Sequence, residues 1–170
     1  HEFDYRSNGL AKMLDAAKAS NDPLPIIVQS NINWEASQGE YTEMLHKSME
    51  NYGVKKYAII QAGDLKAAVF GLMGKEAASY APTSGLIFDD IVESSKEIVN
   101  EIKKNENVGL MIALSHSGTN SDPKSSEDGI LGKEVPEIDV IISGHSHTYM
   151  DNPILIGDTA VVSAGEYGRF

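Results

Sequence analysis

The sequence predicts an α/β fold, in which helices alternate with buried strands. Two runs, residues 108–114 and 138–142, have the length of strands and are apolar almost throughout, a pattern typical of strands covered on both faces of a sheet. Apolar residues at helical spacing between positions 91 and 102 predict a helix ahead of the first run. With 170 residues and 41% hydrophobic content, the chain has the length and composition of one globular domain.

The first third of the chain is predicted to contain two helices and a strand. Apolar residues at helical spacing between positions 10 and 17 predict the first helix, and Asn21-Asp22-Pro23 ends it. The apolar run at residues 25–28 predicts a strand after this helix. A second short helix is predicted from the spacing of apolar residues between positions 41 and 49.

Two β-hairpins and a helix cap are predicted further along the chain. The hairpins comprise residues 57–60 and 65–72 around a turn at 62–64, and residues 153–156 and 160–163 around Gly157-Asp158. Asp89 or Asp90 is the expected N-cap of the helix near residue 91, because a carboxylate there accepts hydrogen bonds from the first backbone amides. Residues 118–129, rich in Ser, Asp and Asn, are expected to form a surface loop beside a site.

Charge and composition exclude some classes of partner. The net charge of -11 would repel a phosphate backbone, which makes polymeric nucleic acid a poor partner and leaves small phosphorylated molecules open. The chain has no cysteine, so His, Asp, Glu and Asn must hold any metal ion. No apolar run approaches the roughly 20 residues that span a bilayer, and residues 1–6 have no signal-peptide pattern. The first residue is not Met, and we expect the chain to be a piece of a longer protein.

Histidines follow both buried strands directly. His116 comes after the run at 108–114, and His145 and His147 come after the run at 138–142. Functional groups in α/β sheets gather beyond the carboxyl ends of the strands, so two adjacent strands would bring these imidazoles together as ligands for Zn, Mn or Fe. The alternative is that they are ordinary surface histidines. His46, on a short polar helix, is expected to be a solvated or half-buried histidine without a functional role.

Four short motifs stand out along the chain. In order, they are His1-Glu2-Phe3-Asp4, Leu114-Ser115-His116-Ser117-Gly118, Gly144-His145-Ser146-His147-Thr148 and Ala164-Gly165-Glu166-Tyr167-Gly168. Together they resemble motifs of the calcineurin-like metallophosphoesterases, and the branch that they resemble most comprises 5'-nucleotidases and cyclic-nucleotide phosphodiesterases. The resemblance runs from one end of the chain to the other.

The resemblance implies a fold, a reaction and a location. The fold would be a sandwich of two mixed β-sheets flanked by helices, lacking its N-terminal strands, so that residues 1–170 form the C-terminal portion of one catalytic domain. Two divalent metal ions, such as Mn, Zn or Fe, would activate a hydroxide for hydrolysis of nucleotide phosphoesters. The expected substrates are 5'-nucleotides or 2',3'-cyclic nucleotides. The expected location is extracellular, periplasmic or at the cell surface.

The resemblance also assigns roles residue by residue. His116 and His145 would bind one metal ion, and His147 would bind the other. His1 would contact the phosphate, and Asp4 would orient His1, because a carboxylate fixes the tautomer of an imidazole and raises its basicity. His1 and Asp4 are therefore the expected catalytic residues.

The chain also departs from the family pattern. It lacks the family's Asp-x-His, the bridging Asp after a glycine and the Asn before His1, and Arg6 stands where many relatives have glycine. Without a bridging carboxylate, two unit positive charges ~4 Å apart would already repel by about 4 kcal/mol at an effective dielectric of ~20, and divalent cations repel more strongly. We therefore expect the isolated chain to bind at most one metal ion, loosely, unless Asp122, Asp128 or Asp151 completes the site. We also expect an unpaired sheet edge and an uncovered apolar face to cause self-association.

Two alternatives remain open at this point. One is a superfamily member that acts on a sugar-nucleotide pyrophosphate or another phosphoester. The other is a non-catalytic metal-binding or surface-interaction module that has the same fold. Intact Asp-x-His and Gly-Asp elements upstream of His1 in the parent gene would favour the enzyme.

Overall fold

The structure is a computed structural model that describes residues 2–120 and 122–168, apart from the side chain of Asp4. The helices in this part are α1 (Arg6–Ala19), α2 (Thr42–Tyr52), α3 (Lys75–Ser79), α4 (Ile91–Asn105) and α5 (Glu127–Glu134). The strands are β1 (Tyr57–Ala62), β2 (Leu65–Met73), β3 (Leu110–His116), β4 (Val140–Ser143), β5 (Ile154–Ile156) and β6 (Thr159–Val162). Short 3-10 helices lie at Glu2–Tyr5 and Pro82–Ser84. None of the described helices is both long and apolar enough to cross a membrane.

The strands form one mixed sheet in the order β1-β2-β3-β4-β6-β5. The central strands β2, β3, β4 and β6 are parallel, and β1 and β5 pair antiparallel with β2 and β6 as their hairpin partners. Both predicted hairpins are confirmed. The predicted adjacency of the two strands that the histidines follow is confirmed as well, because β3 pairs with β4. Leu114 lies opposite Ile142, and Ser115 lies opposite Ser143.

One face of the sheet is covered by α4 and α5, and the main core lies there. Side chains of the central strands that point to this face are fully buried, among them Phe70, Ala113 and Ile141. Helix α4, which the apolar spacing between positions 91 and 102 predicts, contributes Ile91, Ile98, Val99 and Ile102 to this core. Asp90, not Asp89, is its N-cap, and it accepts hydrogen bonds from the backbone amides of Val92 and Glu93 at 2.9 and 3.1 Å.

The opposite face, which we call the open face, carries large apolar side chains that the described residues leave exposed. The pairing registers place Ile60, Leu65, Leu114, Ile142 and Leu155 on this one face. Their exposed fractions run from 39% for Ile60 to 70% for Leu155. In the part of the chain that the structure describes, the expectation of an uncovered apolar face is therefore confirmed, and the covering of both faces that the apolar runs indicated is not found.

A second core lies between α1, α2 and the segment around α3. Leu14 of α1 and Leu45 of α2 are buried in it, together with Phe3 and Met73. Met73 is the last residue of β2, so this strand belongs to both cores. Both predicted helices of this region are confirmed, and Gly53 ends α2 with a φ of 98°, a left-handed conformation that glycine adopts without strain.

Two predictions about secondary structure are wrong. Residues 25–28 do not form a strand; Val28 makes a single bridge with Lys55, and the amides that follow it bond to two different partners, Lys55 and Gly71. The loop predicted at 118–129 ends earlier, because Ser126 caps α5 by accepting a hydrogen bond from the amide of Gly129 at 3.1 Å. Helix α3 was not predicted.

Candidate active site

Two histidines meet at the carboxyl ends of neighbouring strands. His116 is the last residue of β3, and His145 lies two residues after the end of β4. The amide of Gly144 donates to the carbonyl of Ser115 at 2.8 Å, which ties the two strand ends together. A Cβ atom at Gly144 would lie 3.2 Å from Nδ1 of His116, so a glycine allows this close approach. The ring centroids of His116 and His145 are consequently 5.2 Å apart.

The loop that carries His145 and His147 has an unusual backbone. Both residues have positive φ angles, 78° and 55°. For a residue with a side chain, this left-handed region costs on the order of 1–2 kcal/mol, and such outliers cluster at functional sites. The rest of the fold therefore holds this loop in a conformation that it would not adopt alone.

Hydroxyl groups fasten the histidine loop to the segment after β3. The amide of Thr119 donates to Oγ of Ser146 at 3.1 Å, and Oγ1 of Thr148 donates to the carbonyl of Thr119 at 2.8 Å. The hydroxyls of Ser146 and Thr148 lie 2.9 Å apart. These bonds cross from one loop to the other, so they fix the position of one relative to the other.

A cavity of about 470 Å³ lies in front of the histidines. His116, His145 and His147 line it, and Phe3 and Ala77 are among the apolar residues that line it as well. Tyr80 lines it as well, with its ring edge-on to His145 at a centroid distance of 5.4 Å. The cavity therefore offers both nitrogen ligands and an aromatic surface to one bound molecule.

His147 is paired with a carboxylate. Its Nδ1 lies 2.7 Å from Oε2 of Glu166, and its ring meets that of Tyr167 edge-on at 5.5 Å. A carboxylate on one nitrogen fixes the tautomer and orientation of an imidazole, which leaves Nε2 as its ligand nitrogen. The sequence motif at residues 164–168 pointed to this region, but sequence reasoning gave Glu166 no role.

The described residues fit part of a metal site only. Among the described side chains, which leave out that of Asp4, no three His, Asp or Glu lie close enough together to hold a metal ion. His116 and His145 are suitably close and chemically suited as two ligands, since neutral imidazole binds Zn, Mn and Fe. A complete site would need further ligands.

The remaining predicted residues divide into two groups. His1 and the side chain of Asp4 lie outside the described residues, so their predicted catalytic roles stay predictions. His46 is half-buried and stacks on Trp34 at a centroid distance of 4.1 Å, as a histidine without a functional role would.

The three aspartates considered as additional ligands do not line the cavity. Asp122 accepts a hydrogen bond from the amide of Lys124, and Asp151 accepts one from the hydroxyl of Tyr149. Asp128 is buried beneath the strand ends. Glu2 is an acidic residue near His116. A hydrogen bond with the backbone of Glu2 itself lowers the pKa of its carboxyl below the usual range, and the charge of His116 lowers it further.

The chain is similar in sequence to a nucleotide phosphoesterase and to 5'-nucleotidases. No family model matches it. Trifunctional nucleotide phosphoesterase protein YfkN of Bacillus subtilis (strain 168) is 30% identical over 192 residues, which cover 100% of this chain and 12% of that protein. Snake venom 5'-nucleotidase of Crotalus adamanteus is 33% identical over 154 residues, which cover 88% of this chain and 22% of that protein. The chain thus spans less than a quarter of the length of either relative.

A solved structure shows the same fold. The 5'-nucleotidase precursor from Thermus thermophilus matches with a TM-score of 0.72 and 23% identity, over 99% of this chain and 32% of that one. The predicted resemblance to the 5'-nucleotidase branch is confirmed, and so is the metallophosphoesterase-type fold, of which the described part is a mixed six-stranded sheet with flanking helices.

Proposed function

We propose that this chain, similar in sequence and fold to the calcineurin-like phosphoesterases, is the C-terminal portion of a catalytic domain that hydrolyses nucleotide phosphoesters with the help of divalent metal ions. The observation that carries the proposal is the meeting of His116 and His145, 5.2 Å apart, beside a cavity at the carboxyl ends of two parallel strands. Bound metal ions would supply Lewis-acid activation of the phosphoryl group and of the attacking water.

The chain's own residues would hold and orient the reacting groups. His116 and His145 would offer nitrogens to one metal ion, while Glu166 would keep the Nε2 atom of His147 directed to the other. His1, with Asp4 orienting it, would contact the phosphate. Tyr80 and Phe3 also line the cavity, where they would exclude water and give the leaving group an apolar surface.

Nucleotides are the proposed substrates, either as 5'-monophosphates or as 2',3'-cyclic phosphates. The names of the two relatives support a nucleotide, and the acidic character of the chain disfavours polymeric nucleic acid. An extracellular, periplasmic or cell-surface location is part of the proposal, and the venom origin of one relative supports it.

One comparison of variants tests the site. In the full-length protein, His145→Ala should lower nucleotide hydrolysis at least ~100-fold and weaken the binding of added Mn²⁺ or Zn²⁺, because it removes a direct ligand. The matched control is His46→Ala, which removes a half-buried imidazole that stacks on Trp34, away from the cavity. It should change neither the rate of hydrolysis nor the affinity for the metal ion. Hydrolysis rates and calorimetric titration give the two readouts. Equal losses in both variants would show that the site is assigned wrongly.

A substrate panel separates the enzyme from its rivals. Turnover of nucleoside monophosphates or 2',3'-cyclic nucleotides supports the proposal. Turnover of sugar phosphates alone would instead show that the substrate is that of another phosphoesterase of the superfamily. Metal binding with no turnover of any phosphoester would favour the non-catalytic module. That second candidate draws its support from the incomplete ligand set in the described part of the chain.

A further inference from the structure

Asp128 is a carboxylic acid buried beneath the candidate site. It lies in the first turn of α5, on the helix-covered side of the sheet, and its exposed fraction is 0%. Burial raises the pKa of its carboxyl to about 6, although the hydrogen bond from the Ser115 hydroxyl acts in the opposite direction. Burying a carboxylate is costly, and an apolar side chain would avoid that cost, so its presence here calls for a role other than core packing.

The hydrogen bonds of Asp128 reach both sides of His116. Its Oδ1 accepts from Oγ of Ser115 at 2.5 Å, and its amide donates to the carbonyl of Gly118 at 3.2 Å. Oγ of Ser115 also lies 2.7 Å from Oγ of Ser117. The segment from Ser115 to Gly118, which contains His116, is therefore held at both of its ends by one residue of α5.

The same contacts extend to the second histidine. The carbonyl of Ser115 accepts a hydrogen bond from the amide of Gly144, the residue that precedes His145. Ser143 also lies beneath the site, where Oγ of Ser143 and Oδ2 of Asp128 are both buried and make no hydrogen bond within the described part of the chain. Asp128 thus contacts the strand end that bears His116 and, through Ser115, the turn that bears His145.

We infer that Asp128 is a positioning residue, which fixes the ends of β3 and β4 so that His116 and His145 stay at the separation needed to share one metal ion. The inference rests on the proposed function, since it assumes that the two imidazoles are ligands. The role of Asp128 would lie in its hydrogen bond to Ser115, on the face of the sheet opposite the side chain of His116.

The test compares two aspartates at opposite ends of β3. Asp128→Ala removes the bond to Ser115, whereas Asp139→Ala removes a carboxylate that accepts from the amide of Met111 at 2.7 Å, far from the histidines. In the full-length protein we expect Asp128→Ala to weaken Co²⁺ binding about 10- to 100-fold, as outer-shell changes typically do, and to alter the visible absorption of the bound Co²⁺. Asp139→Ala should leave both readouts at the wild-type values.

Two further variants make the test independent of any folding defect. Asp128→Asn keeps an oxygen acceptor for Ser115 and should retain Co²⁺ affinity, whereas Ser115→Ala removes the donor and should lower it. The side-chain nitrogen shifts of His116 and His145, measured by NMR in the metal-free protein, should change in Asp128→Ala and Ser115→Ala only.

The outcomes separate this inference from the function on which it rests. A folded Asp128→Ala or Ser115→Ala variant with wild-type Co²⁺ affinity and unchanged imidazole shifts would overturn the inference. Equal effects of Asp128→Ala and Asp139→Ala would do the same. A wild-type protein that binds no Co²⁺ at the histidines would instead overturn the proposed function, whatever the imidazole shifts show.

Discussion

Arg6 begins α1 with a left-handed backbone, at a φ of 61°. A side chain in this region costs about 1–2 kcal/mol, and glycine avoids this cost. The resemblance to the family marks the same position as one where many relatives have glycine. The structure gives the physical reason, because the turn into α1 requires this φ.

Arg6→Gly should therefore stabilise the protein. The relief of strain exceeds the added entropy of the unfolded chain, and we expect a net gain of roughly 0.5–1 kcal/mol in the free energy of unfolding. Denaturant titration followed by circular dichroism measures it. Lys12→Gly, a change within the same helix, serves as the control and should cost about 1 kcal/mol. Destabilisation by both substitutions would contradict the strain argument.

Asp128 should make stability depend on pH. Its pKa is 3.8 as a free group and about 6 in the fold, so between these values the folded state binds more protons than the unfolded chain. Stability from this residue is therefore present below about pH 4 and is lost as pH rises through about 6, by on the order of 3 kcal/mol.

Asp128→Asn removes this dependence. The variant should gain stability relative to the wild type when the pH is raised from about 4 to about 7. Unfolding free energies of the two proteins at both pH values provide the check. A constant difference between the wild type and Asp128→Asn across that range would show that the carboxyl titrates normally.

The site could be predicted in part from single residues. A histidine directly after an apolar strand is visible in sequence, and the adjacency of β3 and β4 then brings His116 and His145 together. Glu166 and Asp128 could not be assigned this way, because their roles depend on tertiary contacts with His147 and Ser115. The local signal for Asp128 was Ser126 followed by two acidic residues, which is an N-terminal helix pattern inside an apparent loop.

At the level of elements, the cap of α4 is open to a direct test. Asp90 accepts hydrogen bonds from two backbone amides, whereas Asp89 accepts one from the side chain of Asn33 at 2.9 Å. Asp90→Ala should lower the free energy of unfolding by about 1 kcal/mol, since two amides of the first turn lose their partner. Asp89→Ala should cost less. Thermal unfolding of the two variants separates them, and the reverse order would show that the cap is assigned wrongly.

Long elements with a regular apolar pattern were predictable, and short or mixed ones were not. Helix α4 and strand β3 carry enough apolar side chains to show their period. Helix α5 has eight residues, two of them glycine, and its burial comes from contacts with the sheet that no local pattern reveals. Residues 25–28 are apolar as a strand would be, yet their neighbours bond to different segments and no ladder forms.

At the scale of the whole molecule, the open face is the largest feature without an explanation inside the described chain. Exposed apolar side chains on one face of a sheet mark a surface that another surface covers. The outer strands β1 and β5 add edges whose backbone groups can pair with a second chain. Both features support the expectation that the 170 residues alone associate with a second copy.

Ile142→Thr should weaken that association. Ile142 lies at the centre of the open face with 45% of its surface exposed, and Ile130 on α5 has a matched exposure of 42% outside that face. Light scattering should show a shift toward monomer for Ile142→Thr and no shift for Ile130→Thr. A wild-type chain that stays monomeric at all concentrations would contradict the expectation.

The stacking of Trp34 on His46 provides an optical reporter of one half of the molecule. Trp34 is the only tryptophan in the sequence, and it packs against the second core, around α1 and α2. Its emission therefore follows the melting of that core, while far-ultraviolet ellipticity follows the helices and strands of both. Because β2 belongs to both cores, the two signals should change at the same denaturant concentration, as they do when a chain unfolds in a single step.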